Sequence, residues 1–172
     1  FTGAMSRRIG KFEESSGGTL LLDEISEMDL RLQTKLLRAI QEQEIDRVGG
    51  NEPVKINLRI IATSNRDMHQ EIRKDNFRED LYHRLAVIEI NVPSLNNRKS
   101  DIPALIQHFL KDISKENQLT LKNIENKAVL ELQKYDWSGN VRELRNVIER
   151  LSILSDNSVI MLEDIIKYSN KK

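Results

Sequence analysis

Apolar residues recur along this chain with two spacings, and each spacing predicts a type of secondary structure. Continuous apolar runs, typical of buried strands, occupy residues 19–23, 58–63 and 87–92. Apolar residues three or four positions apart predict a helix over about residues 29–44, and a shorter helix fits residues 79–85. Because these strands alternate with helices, the pattern favours a parallel α/β sheet.

The stretches between these elements are polar or rich in turn-forming residues. We expect residues 1–16 to form a loop and residues 49–51, Gly-Gly-Asn, to form a turn. The composition changes at residues 94–100, a polar stretch that marks a domain boundary. We therefore divide the chain into residues 1–95 and residues 96–172.

The second domain is predicted to contain helices only. Apolar stripes with helical spacing lie along residues 102–113, 128–132 and 141–151, and a short last helix is expected around residues 162–166. Asn140 comes directly before the third stripe. We expect its side chain to cap the N-terminus of that helix.

Two adjacent carboxylates, Asp23 and Glu24, follow the first predicted strand. Open parallel sheets bind their ligands at the carboxyl ends of the strands, where this pair is expected to lie. Such a pair suits a nucleoside triphosphate, since one carboxylate holds Mg²⁺ and the other activates water. The alternative is a buried strand that simply ends in a polar turn.

Asn65 lies two residues beyond the second predicted strand. If the two strands are neighbours in a parallel sheet, their carboxyl ends meet, and Asn65 faces Glu24 across a crevice. There it would orient water or contact a γ-phosphate. The alternative is an ordinary loop asparagine that favours a turn.

Three arginines are candidates for contacts with phosphate. Arg78 and Arg84 are six residues apart, on different faces of one predicted helix, so that one of them could reach the phosphate of a neighbouring subunit. The alternative is a surface pair that bonds to the nearby acids. Arg142 lies in the first turn of a predicted helix, where a basic side chain opposes the helix dipole, and this position hints at a role with a ligand. The alternative is an exposed basic residue beside a core tryptophan.

Composition excludes several classes of function. The 172 residues contain 27 Lys and Arg and 27 Asp and Glu, a net charge of +0, so a chain-wide basic surface for nucleic acid is absent. There is no cysteine, which removes disulfides and thiolate metal sites. No apolar run approaches the roughly 20 residues that span a bilayer, and no signal peptide is visible. The first residue is Phe1, and we expect the chain to be part of a longer protein.

Eight segments occur in an order and spacing that resemble one protein family. They are FTGA, GKFE, GGTLLLDE, LLRAIQE, RVGG, ATSNRD, FREDLYHRL and WSGNVREL. Together they resemble the AAA+ ATPase domain of bacterial enhancer-binding proteins, the NtrC-like activators of sigma-54 RNA polymerase. The wording ISEMDL with ATSN is most similar to the members that control flagellar genes. The resemblance implies a P-loop NTPase core with a parallel sheet, here lacking its first strands, and an all-α lid.

The resemblance also implies roles for residues at the predicted sheet edge. Asp23 and Glu24 match the Walker B pair, with Asp23 for Mg²⁺ and Glu24 for polarising the attacking water. Asn65 matches sensor I. Ser64 stands where the family usually has Thr, and it keeps the hydroxyl group that would contact the nucleotide.

Arginines and the first four residues receive roles in the same way. Arg78 and Arg84 match the two candidates for an arginine finger, the side chain that reaches ATP from a neighbouring subunit. Arg142 matches the sensor II arginine. The residues that match the end of the sigma-contacting GAFTGA loop are Phe1, Thr2, Gly3 and Ala4. The implied cofactors are ATP and Mg²⁺, and the implied partners are sigma-54 RNA polymerase and further copies in a hexameric or heptameric ring.

The chain departs from the family pattern in two places. Only Arg98 is retained from the usual LRER, which is Leu-Asn-Asn-Arg here. No G-x-x-x-x-G-K-[ST] segment is present, and we expect that phosphate loop and its strand to lie upstream of residue 1. In the family sheet, that strand lies between residues 58–63 and 87–92. We therefore expect the isolated 172 residues to hydrolyse no ATP and to fold poorly.

The expected function is an ATP-driven transcription activator in the cytoplasm, with DNA bound by a domain that this sequence does not contain. One alternative is another AAA+ ATPase, which the FTGA segment disfavours. Another alternative is a degenerate interaction module that binds partners without turnover.

Overall fold

The structure, a computed structural model, describes residues 9–49 and 52–169. The chain divides into two compact units, Phe1–Ile90 and Asn91–Lys172. The boundary drawn from the sequence between residues 95 and 96 stays a prediction. Leu95 itself is fully buried in the core of the second unit.

The first unit combines strands with helices. In chain order its elements are α1 (Lys11–Glu14), β1 (Thr19–Leu22), α2 (Leu30–Glu42), β2 (Glu44–Asp46), β3 (Pro53–Lys55), β4 (Arg59–Ala62), α3 (Met68–Arg73) and α4 (Glu79–Leu85). The structure confirms the predicted strands β1 and β4 and the predicted helices α2 and α4. It adds the short helix α1 inside the expected loop, the β2–β3 hairpin and α3.

Strands β1 and β4 are parallel neighbours, as the alternating pattern predicts. Their register pairs Thr19 with Arg59 and Leu22 with Ala62. The prediction that both strands are fully buried is wrong, because Leu21 of β1 is 57% exposed and Ile61 of β4 is 46% exposed. One face of the strand pair packs on the core, and no element in the described part of the unit covers the other face.

The predicted third strand, residues 87–92, is not a strand in this structure. Its apolar side chains are 73–82% exposed at Val87, Ile88, Ile90 and Val92. A strand exists only where a neighbour supplies hydrogen bonds. No described strand pairs with this segment, which is why its strong β-propensity produces no strand.

Helix α2 supplies much of the core of the first unit. The Asp29 carboxylate accepts a hydrogen bond from the Arg31 amide at 2.8 Å and so caps the helix. Leu36 and Leu37 pack in one cluster with Phe77 and with Leu81 of α4. This packing fixes the chain on both sides of residue 78.

The β2–β3 hairpin turns through Gly49, whose φ of 75° suits glycine. Residues 50 and 51 of the predicted turn lie outside the described residues. Directly after β2, at the turn end of the hairpin, Arg47 donates two hydrogen bonds to the Glu13 carboxylate, at 3.0 and 2.6 Å. This bidentate pair joins the hairpin to α1.

The second unit is helical, as predicted. A 3₁₀ segment at Leu95–Asp101 precedes α5 (Ile102–Glu116), β5 (Asn123–Ile124), α6 (Asn126–Lys134), α7 (Asn140–Leu154), β6 (Val159–Ile160) and α8 (Leu162–Tyr168). Helices α5, α6 and α7 match the three apolar stripes, and α8 matches the expected last helix. The two-residue parallel pair β5–β6 was not predicted, because two residues are too few to show a period.

Trp137 lies at the centre of this helical core. Its ring is fully buried, and its indole N–H donates to the Leu132 carbonyl at 3.0 Å. The cluster around it includes residues of α5, α6, α7 and α8. The second unit therefore has a core of its own.

The predicted cap at Asn140 is wrong. Helix α7 begins at Asn140, and Gly139 occupies the N-cap position without a side-chain cap. Asn140 has a left-handed backbone, with φ 54°, and its side-chain oxygen accepts from the Leu95 amide at 2.8 Å. Its hydrogen bond thus goes to the start of the unit and not to its own helix.

Candidate active site

The carboxyl ends of β1 and β4 bring Asp23 and Thr63 together. The strands are in register up to Leu22 and Ala62, so the residue that follows each strand lies at the same level of the sheet. The Thr63 hydroxyl donates to Asp23 Oδ1 at 2.5 Å. Sequence reasoning missed Thr63, although its place directly after β4 is the same as that of Asp23 after β1.

Thr63 also holds the backbone around Glu24. Its hydroxyl oxygen accepts from the Glu24 amide at 3.1 Å, and its carbonyl accepts from the Ile25 amide at 2.9 Å. Glu24 has φ 53° and ψ 47°, the left-handed region. A non-glycine residue there costs roughly 1–2 kcal/mol, so the surrounding hydrogen bonds are needed to keep it.

Ser64 and Asn65 leave the same sheet edge in a tight turn. The Ser64 hydroxyl donates to Ser26 Oγ at 3.1 Å and accepts from the Arg66 amide at 3.0 Å. Asn65 is exposed. The strand pairing that would bring Asn65 opposite Glu24 is confirmed, and the facing of these two side chains stays a prediction.

The donor set at this edge fits Mg²⁺ that arrives with a phosphate. Asp23 is exposed, and an ionised carboxylate is a hard oxygen ligand. Mg²⁺ usually takes one or two carboxylates and completes its shell with water and phosphate oxygens. The described residues contain no group of three or more His, Cys, Asp or Glu that would hold a metal by themselves.

Arg78 is held at its backbone and at its side chain. The Arg78 amide donates to the Gln33 side-chain oxygen at 2.9 Å. Its guanidinium donates to both Asp80 oxygens, at 3.0 and 2.6 Å. This hydrogen bonding raises the pKa of Arg78 and lowers the pKa of Asp80, so both groups stay charged.

The sequence suggested that Arg78 and Arg84 lie on different faces of one helix, but only Arg84 lies within α4. Arg78 is the residue before α4, and Arg84 lies exposed in its last turn. Arg78 bonds to Asp80, which is the surface pairing that the sequence left open as an alternative.

Arg142 and the first four residues are not among the side chains at this sheet edge that the structure describes. Arg142 is exposed in the first turn of α7, in the second unit. The proposed partner-binding residues, Phe1 to Ala4, lie outside the described residues. The structure therefore brings together Asp23, Glu24 and Thr63, with Ser64 next in the chain.

Comparison with known families agrees with this geometry. The family model described as "Sigma-54 interaction domain" matches residues 1–91. The chain belongs to this family. A model described as "AAA+ ATPase lid domain" matches residues 96–172.

Two relatives show that this chain corresponds to only part of a longer regulatory protein. Transcriptional regulatory protein FlbD of Caulobacter vibrioides is 57% identical over 155 residues, which are 90% of this chain and 34% of FlbD. DNA-binding transcriptional regulator NtrC of Azospirillum brasilense is 47% identical over 163 residues, 95% of this chain and 34% of that protein. The chain thus spans about a third of the curated relatives it matches.

Solved structures give the same fold. NtrX from Brucella abortus in complex with ADP superposes with a TM-score of 0.87 at 39% identity, over 93% of this chain and 38% of NtrX. The ATP complex of NtrX gives 0.85 at 38% identity, over 91% and 36%. These comparisons confirm the predicted family and the α/β core with a helical lid. No described helix is long and apolar enough to cross a membrane.

Proposed function

We propose that this sigma-54 interaction domain couples ATP hydrolysis to promoter opening by sigma-54 RNA polymerase, as part of a longer activator. The observation that carries the proposal is the pair Asp23 and Glu24 at the carboxyl edge of β1 and β4, with Thr63 hydrogen-bonded to both. The solved NtrX complexes with ADP and ATP add support from similar chains.

Each residue at the edge has a proposed role in the reaction. Asp23 would hold Mg²⁺, which neutralises phosphate charge when bound. Glu24 would polarise the attacking water, and its backbone is held by Thr63. Asn65 and Ser64 would contact the water or the γ-phosphate from the neighbouring loop.

The arginines are proposed to contribute charge. Arg78 or Arg84 would reach ATP bound to the next subunit of a hexameric or heptameric ring, a contribution worth about 10³–10⁵ in rate. Arg142, from the lid, would contact the nucleotide as sensor II. The division into a core of residues 1–95 and a lid of residues 96–172 is part of the same proposal.

Membership of the family also supports a proposal about partners and setting. Residues 1–4 would touch sigma-54, and DNA would be bound by a further domain of the longer protein. Control of flagellar genes, a response-regulator role in a two-component system and a cytoplasmic location are the finer parts of the proposal.

The test is Glu24→Gln in the full-length protein. We expect ATP binding to be retained and hydrolysis to be lost, because the amide keeps the shape but removes the acceptor charge. Glu42→Gln, at the exposed end of α2, is the matched control and should leave turnover unchanged.

The possible results separate the proposal from its alternatives. Unchanged turnover in Glu24→Gln would favour a module that binds partners without hydrolysis. If hydrolysis depends on Glu24 but the protein does not retain sigma-54 in a pull-down, the result would favour another kind of AAA+ ATPase.

A further inference from the structure

A fully buried amide, the side chain of Gln33, lies inside the first unit. Gln33 belongs to α2, and its side chain is 0% exposed. The Nε2 group donates to the Met28 carbonyl at 2.8 Å and to the Asn76 carbonyl at 3.0 Å. The Oε1 atom accepts from the Arg78 amide at 2.9 Å. Both ends of the buried amide are therefore satisfied.

These bonds join two segments that carry proposed site residues. Met28 follows the 3₁₀ turn that begins directly after Glu24. Asn76 and Arg78 flank Phe77, which is 3% exposed and packs against α2. The sequence separations from Gln33 to Asn76 and Arg78 are 43 and 45 residues, so only the fold brings these groups together.

The amide fixes the backbone from which the Arg78 side chain leaves. Arg78 is the N-cap residue of α4 and makes no side-chain cap of its own. Its amide hydrogen bond to Gln33 ties the residue directly before α4 to helix α2. Asp80 holds the guanidinium, so that backbone and side chain each have one dedicated partner.

We propose that Gln33 is a positioning residue for Arg78, which it orients toward the ATP bound to the adjacent subunit. This inference rests on the proposed function, in which an arginine acts across the subunit junction. It assigns that role to Arg78 and gives no such support to Arg84, because no described polar contact holds Arg84 in place.

The first measurement is ATP turnover by full-length Gln33→Met, a change that keeps the length of the side chain and removes its three hydrogen bonds. We expect kcat to fall about 10²-fold, the effect of displacing a catalytic group by about 1 Å. The KM for ATP should change little. Gln41→Met, on an exposed position of the same helix, is the matched control.

Mixed rings show whether Gln33 acts through Arg78 or through Met28 and the Glu24 loop. A working junction needs Glu24 from one subunit and Arg78 from the next. Mixing Gln33→Met with Glu24→Gln should therefore restore turnover above the sum of the two separate variants. Mixing Gln33→Met with Arg78→Ala should restore none, because both subunits then supply a defective arginine.

The reverse pattern would overturn the inference and assign Gln33 to its own subunit's Glu24 loop. Mixing Arg78→Ala with Glu24→Gln is the reference. If that mixture fails to recover, the role of Arg78 across the junction is wrong, and this inference fails with it. If it recovers and the mixture of Gln33→Met with Glu24→Gln does not, only the role of Gln33 is wrong.

A second variant guards against loss of folding. Gln33→Leu also removes the hydrogen bonds to Met28, Asn76 and Arg78 but fills the buried site with a differently shaped apolar side chain, so the same mixtures are repeated with it. Ring assembly is measured by size-exclusion chromatography. Failure of both variants to assemble would assign Gln33 to folding and overturn the inference.

Discussion

The Thr63 hydroxyl donates a hydrogen bond to Asp23 Oδ1 at 2.5 Å, across the carboxyl ends of two parallel strands. The same oxygen accepts from the Glu24 amide at 3.1 Å. One hydroxyl therefore orients a carboxylate and fixes the left-handed backbone of the next residue. The arrangement of the candidate site depends on this side chain as much as on the two acids.

Replacing Thr63 by Val should slow ATP turnover without unfolding the protein. Valine has the same shape but makes neither hydrogen bond. A hydrogen bond to a charged group contributes about 1.5–3 kcal/mol, which corresponds to a loss of about 10- to 100-fold in kcat. Steady-state kinetics of the full-length protein measures this loss. Thr19→Val, at the opposite end of β1, is the control, and equal losses in both variants would contradict the prediction.

Replacing Asn140 by Ala should destabilise the helical unit. The change removes the acceptor of the Leu95 amide and puts alanine in the left-handed region, which asparagine tolerates better. We expect a loss of about 1–3 kcal/mol in the free energy of unfolding. Urea titration followed by Trp137 fluorescence measures it, since Trp137 is the only tryptophan of the chain. Asn140→Asp keeps an acceptor and should lose less; equal losses would show that the hydrogen bond to Leu95 is unimportant.

The two units should unfold differently in the isolated 172-residue chain. Among the described residues, the core cluster of the second unit contains 15 buried residues, whereas that of the first contains five beside exposed strand faces. We expect a cooperative transition by Trp137 fluorescence and a weak, broad one in the strand region of the circular dichroism spectrum. Leu144→Ala should lower the free energy of unfolding of the second unit, followed by Trp137 fluorescence, by about 2–5 kcal/mol. A single shared transition would contradict the prediction.

The stability of the first unit should depend on the ionisation of Glu71. This side chain is 6% exposed, and hydrogen bonds from Asn76 and Arg66 lower the pKa of its carboxyl group. Because the pKa is lower in the folded state, the stabilisation is present above the unfolded value of about 4.3 and is lost as the pH falls through the folded value. At about pH 7, Glu71→Gln should be less stable than the wild type, because the neutral amide loses the charge-assisted hydrogen bond from Arg66.

As the pH falls below about 4.3 this difference should shrink, because the unfolded state binds the proton first, and it should be gone once the folded carboxyl group is protonated too. Thermal unfolding of the full-length protein at both pH values measures it. Glu52→Gln, an exposed change in the same unit, should show no such pH dependence. A constant difference between wild type and Glu71→Gln would exclude ionisation as the cause.

The spacing of apolar residues along the chain was sufficient to predict the helices and strands that bury one face. The apolar spacing located α2, α4 and the helices of the second unit, because a helix repeats its buried side every three or four residues. The place of Asp23 and Glu24 also followed from sequence, since they come directly after an apolar run. The same kind of run failed at residues 87–92, because apolar character does not reveal whether a neighbouring strand is present.

By itself, the sequence determined the family, the order of the helices, the two strands β1 and β4 and the acidic pair at their ends. Only the tertiary structure decided that Thr63 bonds to that pair, that Asn140 bonds to Leu95, and that Gln33 holds Arg78. Each of these contacts joins residues about 40 or more positions apart. Periodicity records which side of an element is buried, whereas a hydrogen bond between distant polar groups depends on how complete elements pack.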